Sequence, residues 1–123
     1  MTAPSYAART PSQIRWEARL WVAQRLSAMV LALCVLVHLA TIVFAVRGGL
    51  SAAEILGRTR GNAAWLSFYA LFVAAVAVHA PIGLRAIAAE WLGWRGRSLD
   101  VAAALFSAVL LGAGLRTALG LFR

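Results

Sequence analysis

His38 and His79 are the only histidines in this 123-residue chain. Each lies in a stretch without charge: none between Arg25 and Arg47, none between Arg60 and Arg85. An ionisable residue surrounded by apolar sequence is costly to place and marks a functional site by default. Its neutral imidazole also offers a lone pair to a metal. The competing reading is a histidine that only hydrogen-bonds one helix to another. Helical spacing puts Ser27, Leu31, Cys34, His38 and Thr41 on one face, a mildly polar stripe suited to protein rather than lipid.

Around His79 the same spacing places Phe72, Ala75, His79 and Gly83 on one face. Gly83 lies one turn beyond the imidazole and Ala75 one turn before it, so a flat macrocycle held by His79 would find small neighbours. Pro81 has no N–H, frees the carbonyl of Ala77 and predicts a kink beside the histidine. Arg85 lies ~9 Å further along the axis at the helical rise per residue. That is within reach of an acidic group on a ligand held by His79, and arginine pairs with carboxylates bidentately. Haem, with its two propionates, fits this pattern. Arg85 also reads as a flank charge reaching for the interface.

The elements that carry these residues follow from hydropathy. Mean hydropathy is +0.81 and only 13% of residues are charged, against about 25% in a soluble domain. Each uncharged gap exceeds the ~20 residues that cross ~30 Å of hydrocarbon. A third apolar run follows Asp100 and reaches Phe122, interrupted by Arg116. The fold class is therefore all-α integral membrane, with three transmembrane helices over about 20–46, 62–90 and 99–121. They form an up-down-up bundle that is part of a larger helical anchor. Residues 1–14 read as a mobile tail without a signal peptide's apolar core and cleavage site, and 15–123 as the anchor domain. "RWEARLWVAQR" reads as an interfacial lead-in. "SAAEIL", with Ser51 at the cap and Glu54 three residues on, predicts a short surface helix. Ala104, Ala108 and Gly112 form a small-residue stripe that would let another helix approach.

The net charge is +8 and every basic residue is an arginine. These arginines flank the apolar runs, so lipid headgroups and topology account for them and nucleic acid does not. Arg9, Arg15, Arg19, Arg25, Arg85, Arg95 and Arg97 fall on one side; Arg47, Arg58, Arg60, Arg116 and Arg123 fall on the other. The excess predicts a cytoplasmic N-terminus. Trp16, Trp21, Trp91 and Trp94 gather on that side as an aromatic belt would, with Trp65 opposite. The single Cys34 forms no internal disulfide.

"HAPIGLR" (79–85) resembles the His-x-x-x-Gly-[Ile/Leu]-Arg signature of the cytochrome b membrane-anchor subunit of succinate dehydrogenase and its fumarate reductase relatives. "QRLSAMVLA" (24–32) resembles that family's His-Arg-x-Ser-Gly motif on its first helix. The resemblance implies that His79 ligates haem iron, that Gly83 and Arg85 belong to the haem pocket, and that Arg25 serves both a propionate and the quinone pocket. Ser27 matches the motif serine, and the resemblance makes Gln24, Ser27 and Trp21, with Arg25, the candidates for the quinone site. Gln24 stands in place of the usual His, Ala28 in place of Gly, and Trp21 in place of a serine that lines the quinone pocket. His38 resembles the distal ligand of the family's dihaem branch. It lies ~20 Å deep against ~9 Å for His79 at the helical rise per residue, so the two cannot easily share one haem.

The function implied is a haem b-binding anchor, without catalysis of its own, that passes electrons between an iron–sulfur subunit and membrane quinone. Its cofactors would be one or two haem b and ubiquinone or menaquinone. Its partners would be the iron–sulfur and flavoprotein subunits, and a second anchor subunit or another copy supplying the missing histidines. Its place would be the inner (cytoplasmic) membrane. Two rivals remain: a haem-free anchor in which His79 and Arg25 serve quinone chemistry, and a small structural or transport-accessory protein whose histidines only bridge helices.

Overall fold

The computed structural model describes residues 8–123. Its helices are α1 (Pro11–Arg47), α2 (Ala52–Thr59), α3 (Ala63–Trp91) and α4 (Arg97–Phe122). Three of them, α1, α3 and α4, are long and apolar enough to cross a membrane, as the uncharged gaps predicted. α1 is longer than expected. Thr10 caps it by accepting from the Gln13 N–H, Gln13 returns its side chain to the Thr10 N–H, and Pro11 occupies the first helical turn. Proline there has no N–H to leave orphaned. Residues 11–14, placed in the tail by hydropathy, are therefore helical, and residues 1–7 of that tail lie outside the described residues. At 37 residues, α1 runs ~55 Å, more than the hydrocarbon requires. The "RWEARLWVAQR" segment lies ahead of the uncharged run; Trp16 and Leu20 in it line a cleft with α3 and α4, and Glu17 there bonds Arg9 at 2.6 Å.

The predicted surface helix is α2, with the expected reciprocal Ser51–Glu54 box. The Ser51 backbone N–H donates to the Glu54 carboxylate at 2.7 Å, and this bond is the main cause of a Glu54 pKa below its usual value. Thr59 at the end of α2 is buried. The Gly61 N–H then donates to the Phe122 carbonyl at 2.7 Å, tying the loop to the far end of α4. At the opposite end, Gly93 and Gly96 take positive φ and let the chain reverse between α3 and α4.

α3 is the central helix, with α1 packed on one side and α4 on the other. Ser27 faces His79, while His38, further along α1, faces Tyr69 and Phe72, so α1 and α3 are antiparallel. Arg85 pairs with Asp100 and Ala77 with Ser107, so α3 and α4 are antiparallel too. Lipid gives no hydrophobic drive between helices, so close backbone approach and polar contacts must hold them. A close approach lies at Gly114, where an added Cβ would stand 2.5 Å from a Val73 methyl. The stripe Ala104–Ala108–Gly112 is exposed, and nothing lies within 4 Å of a Cβ at Gly112. Among the described residues no helix packs onto Gly112, and Ala104 lines the edge of a cleft with α1 and α3. Large apolar side chains such as Leu33, Leu36, Val46 and Val109 face outward, as in a membrane they must.

Candidate functional site

The polar stripe predicted on α1 is its inward face. Ser27 and Cys34 are buried, and His38 and Thr41 are half-buried against α3. Along this seam the structure brings together Gln24, Ser27, His79 and Gly83. The Ser27 hydroxyl donates to the Gln24 carbonyl at 3.0 Å, and its oxygen lies 3.4 Å from His79 Nδ1. A serine has one hydroxyl proton, so toward His79 the oxygen accepts when that proton goes to Gln24 and donates when it does not; the contact suits either tautomer of the ring. A ring proton on Nδ1 would leave the lone pair on Nε2, the arrangement that a second-sphere partner imposes on a metal-binding histidine.

Gly83 adjoins the same seam. An added Cβ there would meet the Gln24 side-chain nitrogen at 3.3 Å. The missing side chain thus makes room for Gln24 in this chain, one turn from the imidazole. Gln24 Oε1 is buried without a hydrogen-bond partner among the described residues. Ala75, on the other side of His79, is buried as well.

Arg85 is engaged elsewhere: its Nε donates to Asp100 Oδ1 on α4 at 2.7 Å. Sequence reasoning missed this partner, which lies across a helical turn-around and depends on register. It also missed Ser107, whose hydroxyl donates to the Ala77 carbonyl at 2.6 Å. That carbonyl is the one Pro81 leaves free, and α3 continues as helix through Pro81. Arg25 and Trp21 stand apart from the seam. The Arg25 guanidinium lies 4.7 Å from the Trp21 ring centroid, and Trp21 is 60% exposed. The four quinone candidates therefore divide into Gln24 and Ser27, facing α3, and Trp21 and Arg25, facing outward.

His38 occupies the other half of the span. Level with Ser27, His79 is separated from it by ~16 Å along α1 at the helical rise per residue. No single metal can take both imidazoles at that separation. The His38 ring meets Tyr69 and Phe72 edge-on at centroid distances of 5.9 and 5.7 Å. Its Nδ1 is buried with no hydrogen-bond partner among the described residues. Two cavities of about 480 and 510 Å³ meet at this ring, one toward Gly114 on α4 and the other toward α2 and Trp65.

The residues present fit a haem held through one imidazole of this chain. The donor set is two separated imidazoles, and no group of three or more His, Cys, Asp or Glu gathers among the described residues. His79 has its Nδ1 beside the Ser27 hydroxyl, while His38 has a buried Nδ1 without a hydrogen-bond partner among the described residues.

Comparison with curated proteins found no match, and comparison with solved structures found none either. The family model described as succinate dehydrogenase/fumarate reductase transmembrane subunit matches residues 1–116. That match covers all of α1, α2 and α3 and most of α4, and sets aside the reading as a structural or transport-accessory protein. The chain belongs to the transmembrane-subunit family of succinate dehydrogenase and fumarate reductase, a multi-pass membrane anchor for that complex.

Proposed function

We propose that this anchor carries haem b through His79 and passes electrons between the iron–sulfur subunit and membrane quinone. The observation that carries the reading is the Gln24–Ser27–His79 chain. It sets the Nδ1 edge of His79 against Ser27 and would leave Nε2 to a metal, within a span where an idle histidine would be expensive. Bound haem b would supply a one-electron relay inside the membrane. The chain's own part is to hold the imidazole plane through Ser27 and to close the seam with Gln24 over Gly83. Its arginines would meet acidic groups near the cytoplasmic face, Arg85 while shared with Asp100 and Arg25 while stacked on Trp21. A further histidine for that haem would come from another anchor subunit or another copy of this chain.

Arg25 and Trp21, open on the outward face of α1, are the residues offered to ubiquinone or menaquinone. Gln24 and Ser27 would act on the same pocket only through the helix they share. The arginine excess at this end supports a cytoplasmic N-terminus in the inner membrane, where the iron–sulfur and flavoprotein subunits would dock. His38 is assigned to a second haem, on the strength of its unsatisfied Nδ1 and the two cavities beside it. The edge contacts with Tyr69 and Phe72 favour a second reading, in which His38 only packs.

Counting haem per flavin in the purified complex tests these assignments together. Two haems in the wild type and one in His38→Ala support the second site. One haem in both reduces His38 to packing. No haem in the wild type leaves a haem-free quinone anchor and overturns the haem reading.

A further inference from the structure

The α3 helix is weakest beside the residue that matters most. Pro81 brings no N–H, so the Ala77 carbonyl loses its normal partner one turn back. In a membrane an unsatisfied carbonyl has no water to turn to and costs several kcal/mol. The gap spans residues 77 to 81, with His79 at its middle. A helix missing this bond can open there, and an opening rotates the imidazole relative to Ser27.

α4 closes the gap. The Ser107 hydroxyl reaches across and donates to the Ala77 carbonyl at 2.6 Å. Ala77 and Pro81 are both buried; they line a cleft with Ser107 on the face of α3 away from His79. Contacts on either side pin the same helix pair. Arg85 bonds Asp100 toward the cytoplasmic end, and Val73 rests on Gly114 toward the other. Each apposition is one helical turn or more from the next, and among the described residues the Ser107 hydroxyl is the group that hydrogen-bonds the interrupted turn. Ser107 makes its hydrogen bond to Ala77 and none to His79.

We infer that Ser107 is a positioning residue for His79: its hydroxyl replaces the backbone bond that Pro81 deletes and so fixes the imidazole's register against Ser27. The inference rests on the reading of His79 as a haem ligand. It explains why a proline is tolerated two residues from a ligand position without loosening it, and gives α4 a part in the site although it contributes no residue to the seam.

The test uses the substitutions Ser107→Ala, Ser107→Thr, Pro81→Ala and the double change Pro81→Ala/Ser107→Ala in the intact complex. The readouts are the b-haem absorption and electron-paramagnetic spectra, the haem midpoint potential, and the fraction of complex surviving heat. Ser107→Ala is expected to shift the haem signal and potential and to raise haem loss on dilution several-fold. Ser107→Thr, which keeps the hydroxyl, restores the wild-type signature. Alanine at position 81 returns an N–H to the helix, so removing Ser107 in that background should leave the haem signature of Pro81→Ala unchanged. If Ser107→Ala does not assemble, the double variant against Pro81→Ala still decides: a haem signature that changes there overturns the compensation. A Ser107→Ala complex that loses heat resistance but keeps the wild-type spectrum and potential reduces Ser107 to a helix tie and also overturns it. Wild-type complex without b-haem defeats the haem reading itself and the positioning role with it. Haem lost in His79→Ala but indifferent to Ser107 defeats the positioning role alone.

Discussion

Gly114→Ala tests the packing that holds α4 against α3. The new Cβ would stand 2.5 and 2.8 Å from the two Val73 methyls and 3.2 Å from the Val73 Cβ. Carbon atoms in contact prefer about 3.5–4.0 Å, so one helix must retreat by ~1 Å or Val73 must turn. Valine in a helix has one strongly preferred rotamer, and retreat of the helix is the easier course. Such overpacking costs about 1–3 kcal/mol. Replacing glycine within a helix returns about 0.8–1.0 kcal/mol of propensity, leaving a net loss of ~0–2 kcal/mol. Gly112→Ala isolates the clash. Nothing lies within 4 Å of its added Cβ, so it gains the propensity without the contact. The difference between the two alanine variants is therefore the steric term alone, about 1–3 kcal/mol. SDS titration of the purified complex, followed by release of the anchor, reads this as a lower midpoint for Gly114→Ala. Adding Val73→Ala should recover most of it. Equal midpoints for the two single variants, or no rescue by Val73→Ala, would refute the packing argument.

Three further outcomes follow from the site. Ser27→Ala removes the hydroxyl that lies 3.4 Å from His79 Nδ1; loss of such an outer-sphere partner typically costs 10–100-fold in metal affinity, so ~10–100-fold faster haem loss is expected in a dilution assay. Arg25→Ala, altering an exposed side chain stacked on Trp21, should lower quinone-reductase turnover while subunit stoichiometry on a sizing column stays normal; full turnover in an assembled complex argues against its quinone role. Glu54 has a pKa below its usual 4.5 because it accepts the Ser51 N–H, so its contribution to the α2 cap is complete above pH 4.5 and is lost as pH falls through the lowered value. The protection of α2 amides relative to the unfolded chain should therefore fall as pH drops below 4.5, and Glu54→Gln, which keeps an acceptor without titrating, should remove that fall.

The spans were legible because lipid leaves so little choice: runs without charge, long enough to cross, can hardly do otherwise. The inward face of α1 was legible for a related reason, since Ser27, Cys34, His38 and Thr41 recur at helical spacing in a sequence otherwise indifferent to direction. The box Ser51-x-x-Glu54 announced α2. Thr10-Pro11-x-Gln13 carried the same signal for α1, but hydropathy drew attention away from a polar segment.

What sequence could not supply was register between helices. Gly112 continued an attractive four-residue stripe, yet Gly114 makes the contact, because the rotation of α4 is set by its fit against Val73. Asp100 and Ser107 find Arg85 and Ala77 only once the α3–α4 turn has fixed their heights. The division of the quinone candidates has a simpler cause. Ser27 and Arg25 lie ~200° apart around one helix at 3.6 residues per turn, so proximity in the motif does not make them neighbours in a pocket. Pro81 was correctly read as freeing the Ala77 carbonyl, and the hydroxyl that answers it came from a helix whose role had been left open.

The most direct measurement of the central claim is the reduced-minus-oxidised absorption spectrum of the intact complex, wild type against His79→Ala. The account predicts b-haem bands in the wild type and, in an assembled His79→Ala complex, loss of the haem nearer the cytoplasmic face. A fully assembled His79→Ala complex with wild-type haem content and spectrum would contradict it.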